Sequence, residues 1–253
     1  MFNLRFRTIL LREIWRFWVV KIQTLLAPVV TSMLYLFIFG YSLGRRITPF
    51  HGVPYLKFII PGLIMMGIIN HAYQNSASSL MISKYEKNIM DILIAPFAYY
   101  EITLAYIFAA VFRGLLVGFV IYCTSLTFII IIPVHPIYAI IICFLAASVF
   151  AEIGIIAGIW AEKWENIAPI NIFIILPFTY LGGVFYSLSI LPDFWQKISH
   201  FNPLLYMIDG FRYGMLGVCD VNPVISMTFV FLTSFSLFLV CLKIFASGWK
   251  LRT

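Results

Sequence analysis

Apolar runs of roughly twenty residues or more follow one another along this chain, separated by short charged or proline-bearing breaks. A helix of that length crosses the ~30 Å hydrocarbon layer of a bilayer. Hydrophobic residues make up 62% of the chain and charged residues 11%, and mean hydropathy is +1.00. A soluble domain carries about 25% charged residues, and folding in water at this size hides only roughly three quarters of the unfolded surface. The solvent for most of this chain is therefore lipid. In hydrocarbon only helices and closed barrels satisfy their own backbone groups. The runs are continuous and do not alternate with period two, which excludes a barrel. The expected fold is an all-α integral membrane protein. It has six transmembrane helices, an N-terminal amphipathic interfacial helix, and re-entrant short helices between spans 5 and 6, all within one domain over residues 1–253.

The expected spans run from Ile22 to Leu43, Phe58 to Leu80, Ile102 to Ile132, Ile137 to Trp160, Pro169 to Tyr186 and Val224 to Phe245. The third is longer than a bilayer needs, so tilt or projection is expected. Residues 1–21 mix Arg5, Arg7, Arg12, Arg16 and Lys21 with Phe2, Trp15, Phe17 and Trp18. Two readings are open for them: a helix lying in the headgroup plane, or a plain basic flank that orients the first span. No small-residue cleavage site follows, so span 1 is read as an uncleaved anchor. Residues 187–221 are too apolar for a solvated loop and too broken by Pro192, Asn202 and Pro203 to cross the bilayer. Short helices near Pro192–His200 and Pro203–Leu216, each opened by proline, are expected to dip into the membrane on protein.

Lys and Arg set the orientation. With the N-terminus inside, one side gathers the N-terminal bases with Lys84, Lys87, Lys163, Lys243, Lys250 and Arg252. The other holds only Arg45, Arg46, Lys57, Lys197 and Arg212. Both termini are thus expected in the cytoplasm, and Arg45-Arg46 is the discordant pair. The net charge of +7 has this topological explanation and does not call for nucleic acid. Cys123, Cys143, Cys219 and Cys241 form no C-x-x-C pair and read as small buried hydrophobes.

Neither a P-loop nor any clustered Cys/His or Ser/His chemistry is written in the chain. It therefore reads as no enzyme, with no nucleotide, metal or cofactor site of its own. Three features remain. The charged stretch from Lys84 to Pro96 places Glu86, Met90 and Leu93 at helical spacing, and its apolar face either rests on the membrane or enters a soluble partner. Span 2 carries Asn70, Gln74 and Asn75, the first two on one face. Such amides either bond between helices or line a translocation surface. Arg113 in span 3 and Glu152 in span 4 lie at similar depth, and intramembrane charges usually pair, so a salt bridge between them is expected.

Leu176-Pro-Phe-Thr-Tyr-Leu-Gly-Gly-Val-Phe-Tyr-Ser187, Leu191-Pro-Asp-Phe-Trp195, Asn202-Pro203 and Gly210-Phe-Arg-Tyr-Gly-Met-Leu-Gly217 carry a resemblance. So do Leu93-Ile-Ala-Pro96 after span 2 and Arg113-Gly114. Over essentially its whole length the chain resembles ABC-2-type transporter permeases, the membrane subunits of ATP-driven exporters, in the YadH-like branch near the NodJ-like exporters. The resemblance implies a homodimer bound to two copies of a separate ABC ATPase, which carries ATP and Mg. It implies a coupling helix over residues 84–97, with Tyr85, Glu86, Lys87, Met90, Asp91, Leu93 and Pro96 meeting the ATPase. The Gly182-Gly183 turn would begin the re-entrant helices, and the bacterial inner membrane would be the location. Asn70, Gln74 and Asn75 are the candidate path lining. The rival reading is an ATP-independent channel or secondary carrier, which the lack of an internal repeat disfavours. The substrate is not written in the sequence.

Overall fold

A computed structural model describes residues 2–19, 21–43, 52–88 and 97–250, with backbone alone for residues 2–5, 21, 23 and 41–43. It is helical, with no β-strand among the described residues. In chain order, α1 spans Phe2–Val19 and α2 spans Lys21–Tyr35, the latter continuing as a π-helical stretch Leu36–Leu43. Three long helices follow: α3 Tyr55–Tyr85, α4 Tyr99–Leu126 and α5 Pro136–Trp160. Two short helices, α6 Ile167–Ile170 and α7 Leu176–Leu181, flank a π-helical turn Asn171–Ile175. Then come α8 Asp193–His200, α9 Pro203–Leu216 and α10 Pro223–Ser247.

Four helices are long and apolar enough to cross a membrane: α3, α4, α5 and α10. A fifth crossing is possible if α1 and α2, bent by 59° at their junction, count as one broken span. The fifth span expected over residues 169–186 is helical without a gap from Ile167 to Leu181, through a π-helical stretch at 171–175, and so is shorter than expected. Span 3 also ends early, at Leu126 rather than Ile132. Thr124, Ser125 and Thr127 turn their hydroxyls back onto the carbonyls of Val120, Tyr122 and Thr124, which competes with helix continuation. Pro133 holds the residue before it out of the helical region. Tyr122 Oη then donates to Ile131 O at 2.8 Å, folding the non-helical leg back on α4.

The central helix is α3, which packs chiefly on α5 and α4 and also on α9. Apolar residues surround its axis on all sides, the pattern of a helix with no face to show to solvent, and Phe58, Ile59, Met65, Ile69, Tyr73 and Leu80 are fully buried. Small residues let its neighbours approach. A Cβ at Gly154 of α5 would lie 2.5 Å from Tyr73 O, and one at Gly158 would lie 2.9 Å from Ala77 O. By contrast α10 buries only a single stripe, Ser226, Val230, Ser234, Cys241 and Phe245, and sits at the periphery.

Two Asn-Pro pairs start helices as their chemistry dictates. Asn202 Oδ1 accepts Leu204 N at 3.0 Å to open α9, and Asn222 Oδ1 accepts Val224 N at 2.9 Å to open α10. Gly217 closes α9 in the left-handed region, φ 74°.

The ends of α3, α5 and α10 gather at one end of the bundle, with α1 beside them. Lys84 Nζ donates to Ile159 O at 2.8 Å and Ala161 O at 2.7 Å, capping the last carbonyls of α5. Lys250 Nζ reaches Glu162 Oε1 at 3.0 Å. That contact holds the exposed Glu162 carboxyl below the usual carboxylate range.

Candidate functional site

At the same end, α1 lays Ile9, Glu13 and Phe17 inward, four residues apart, while Arg7, Arg12 and Trp15 stay exposed. Glu13 is almost wholly buried, and Oε2 receives Arg16 Nε at 3.3 Å and the hydroxyl of Ser79 on α3. Arg16 Nη2 goes on to Asn75 O at 3.1 Å. Asn75 thus joins two arginines, because its Oδ1 accepts Arg113 Nη1 from α4 at 3.3 Å. The other terminal nitrogen of Arg113 donates to Thr24 Oγ1 of α2 at 3.2 Å. One polar knot therefore ties α1, α2, α3 and α4.

Arg113 does not pair with Glu152. Glu152 lies in α5 against α10, where Ser234 Oγ donates to its Oε1 at 3.4 Å and Oε2 has no partner among the described residues. Arg113 turns to α2 and α3 and Glu152 to α10, a difference of direction that a depth counted along the sequence does not carry.

The knot borders a cavity of about 920 Å³ between α2, α3 and the α6 region. Asn70, His71 and Gln74 line it, with Arg16, Thr24 and Arg113. Asn70 and Gln74 are thus in a wall, as expected of path residues, and Asn70 Nδ2 donates back to Met66 O at 2.9 Å. Asn75 is absent from that wall. It is buried behind it, at 1% exposure, as the bridge between the arginines. Toward the far end the cavity meets Tyr35, whose ring packs with Phe39 and Phe185 at centroid distances of 6.0 and 5.6 Å. The Tyr35 and Tyr180 hydroxyls lie 3.4 Å apart.

A second buried polar group ties down the segment after α7. Gly183 adopts φ 81°, and its carbonyl receives Arg212 Nη2. Arg212 is 1% exposed, pairs with Asp209 at 3.2 Å and lies 4.0 Å over the Phe58 ring. The sequence counts it among the bases of the outer side; the structure buries it. Asp209 also accepts the backbone N–H groups of Asp220 and Val221. Asp220 in turn accepts Ser187 Oγ at 2.6 Å and Leu188 N at 2.8 Å.

Of the residues implied as coupling contacts, Tyr85, Glu86 and Lys87 leave the foot of α3 exposed, Tyr85 at 85%. Met90, Asp91, Leu93 and Pro96 lie outside the described residues. The roles of Glu13, Thr24 and Ser79 went unread in the sequence. For Glu13 a signal existed: its spacing from Ile9 and Phe17 puts it on the apolar face of α1, not on the basic one.

This chain belongs to the ABC-2 type transporter family, whose model matches residues 5–216. It is a multi-helical membrane protein of a transporter class. Over 250 residues it is 41% identical to "Inner membrane transport permease YadH" of Escherichia coli (strain K12), covering 98% of this chain and 96% of that protein. More distant is "Nodulation protein J" of Sinorhizobium fredii, 24% identical over 192 residues, 76% of this chain and 72% of that one. The Rhizobium meliloti protein of the same name is 23% identical over 199 residues, 78% of this chain and 76% of that one.

Proposed function

We propose that this chain is the permease subunit of an ATP-driven exporter of the bacterial inner membrane. It works as a homodimer on two copies of a separate ABC ATPase, and ATP and Mg belong to that partner. In this reading the chain crosses six times, with α2 and the α6–α7 stretch as shorter crossings and α1 lying along the surface. The basic end is cytoplasmic, following the bias of Lys and Arg. Residues 84–97 act as the coupling helix, and the segment over 187–221 is re-entrant from the outer side.

The observation that carries the proposal is the foot of α3. A large aromatic side chain, Tyr85, stands 85% exposed one residue beyond Lys84, which is anchored to α5 by two hydrogen bonds. An exposed aromatic at a stiffened helix end suits a protein partner, since buried aromatic anchors dominate interface energies. Family membership supports the same partner.

Co-expression with candidate ABC ATPases of the same genome tests the reading. The wild-type chain is expected to retain a stoichiometric ATPase through affinity and size-exclusion steps. Tyr85→Ala is expected to cost about 2 kcal/mol at the interface, weakening retention more than tenfold. Transport by the purified chain alone in liposomes, driven by an ion gradient and indifferent to the ATPase, would return the assignment to the secondary-carrier class.

A further inference from the structure

The wall of the cavity carries two arginines and no carboxylate among the described residues. One is neutralised from behind: Glu13, outside the wall, takes Arg16 Nε at 3.3 Å. The other is not. The terminal nitrogens of Arg113 rest on two neutral oxygens, Asn75 Oδ1 at 3.3 Å and Thr24 Oγ1 at 3.2 Å. Its Nε is buried and has no acceptor among the described residues. Beside it His71 lines the same cavity, and its Nδ1 is likewise buried without a partner. A guanidinium in a membrane interior is costly unless a counter-charge meets it. Neutral acceptors at the long end of hydrogen-bond range offset only part of that cost.

We propose that this cavity binds the phosphate group of an amphiphile, with Arg113 as the anchoring cation and Arg16 as the second. A guanidinium offers paired donors that match an oxyanion fork to fork. Arg16 of α1 and Arg113 of α4 line the same cavity. Two guanidiniums together offer more donors than the two oxygens of a carboxylate take up, and a phosphate has further oxygens to meet them. The volume, about 920 Å³, far exceeds an inorganic ion and falls in the range of pockets that enclose a whole small molecule. Apolar side chains, among them Leu63, Met66, Ile121 and Ile172, share the wall with the arginines. The α2 residues of the wall run from Thr24 to Tyr35, eleven steps or roughly 16 Å of helix, so a charged head and an apolar tail are both accommodated.

The inference deepens the transporter reading, on which it rests for what the phosphate belongs to, a cargo head or a lodged lipid. Its test uses the permease without the ATPase, so the two can fail separately. The purified full-length chain in neutral detergent is titrated with phosphatidylglycerol, with diacylglycerol of the same chains, which lacks the phosphate, and with inorganic pyrophosphate, and binding is read by native mass spectrometry and thermal shift. Phosphatidylglycerol is expected to bind at least tenfold more tightly than diacylglycerol. Pyrophosphate is expected to displace phosphatidylglycerol, because the phosphate carries the recognition; failure to displace it counts against the proposal. Arg113→Gln is expected to lose this preference tenfold or more. Arg113→Lys, which keeps the charge should Arg113→Gln not fold, is expected to weaken binding several-fold. Arg7→Gln, on the exposed face of α1, should bind as wild type. Equal binding of the two lipids by the wild-type chain, or wild-type affinity in both Arg113 variants, overturns the proposal.

Discussion

Asp209 accepts from three groups at once, the Arg212 guanidinium and the N–H groups of Asp220 and Val221. Removing its charge leaves Arg212 fully buried and unpaired, a change that costs about 3–5 kcal/mol in comparable settings. Asp209→Asn is therefore expected to lower the unfolding temperature of the purified protein sharply. Asp209→Asn combined with Arg212→Met is expected to recover part of the loss, because the stranded cation goes too. A calorimetric scan of the three proteins checks both outcomes, and a double variant no better than the single one would show that the pair does not act as a unit. At this scale the sequence was only half legible. Arg113 and Glu152 were recognisable as buried charges, yet their partners were not. Rotation about a helix axis decides whether a side chain meets Asn75 or Ser234, and position along the chain does not encode it.

Helices were easier to foresee where local chemistry fixes their ends. Asn202-Pro203 and Asn222-Pro223 begin α9 and α10 where the capping rule puts them. The end of α4 was misread because hydropathy continues to Ile132 while the hydroxyls of Thr124, Ser125 and Thr127 have already diverted the backbone. The π-helical stretch at 171–175 and the end of that helix at Leu181 were equally invisible to hydropathy, which measures apolarity and not regularity. Close approach was missed as well: Gly154 and Gly158 stand four apart in α5, the spacing that lets two helices touch backbone to backbone. Gly154→Leu is expected to force α5 off Tyr73, cost about 1–3 kcal/mol by overpacking and reduce the monodisperse yield. Gel filtration and thermal unfolding against a lipid-facing control, Ile140→Leu, which is 67% exposed, measure it.

Across the whole molecule, Lys84, Glu162 and Lys250 meet at one end, while α8, with Lys197, follows the Gly183 turn. If the basic end is cytoplasmic, single cysteines at Lys163 and Lys197 are expected to label from opposite sides in a background lacking native thiols. A membrane-impermeant maleimide should reach Lys197→Cys in spheroplasts and Lys163→Cys only after lysis. Labelling of both from the same face would sink the orientation. The lysine at the foot of α3 has a mechanical corollary. With one ammonium gripping the final carbonyls of the neighbouring column, the central rod cannot be tugged downward by itself. Any pull applied beyond Tyr85 is shared between two columns from the outset, so the smallest piece of this protein that can shift is a yoked pair.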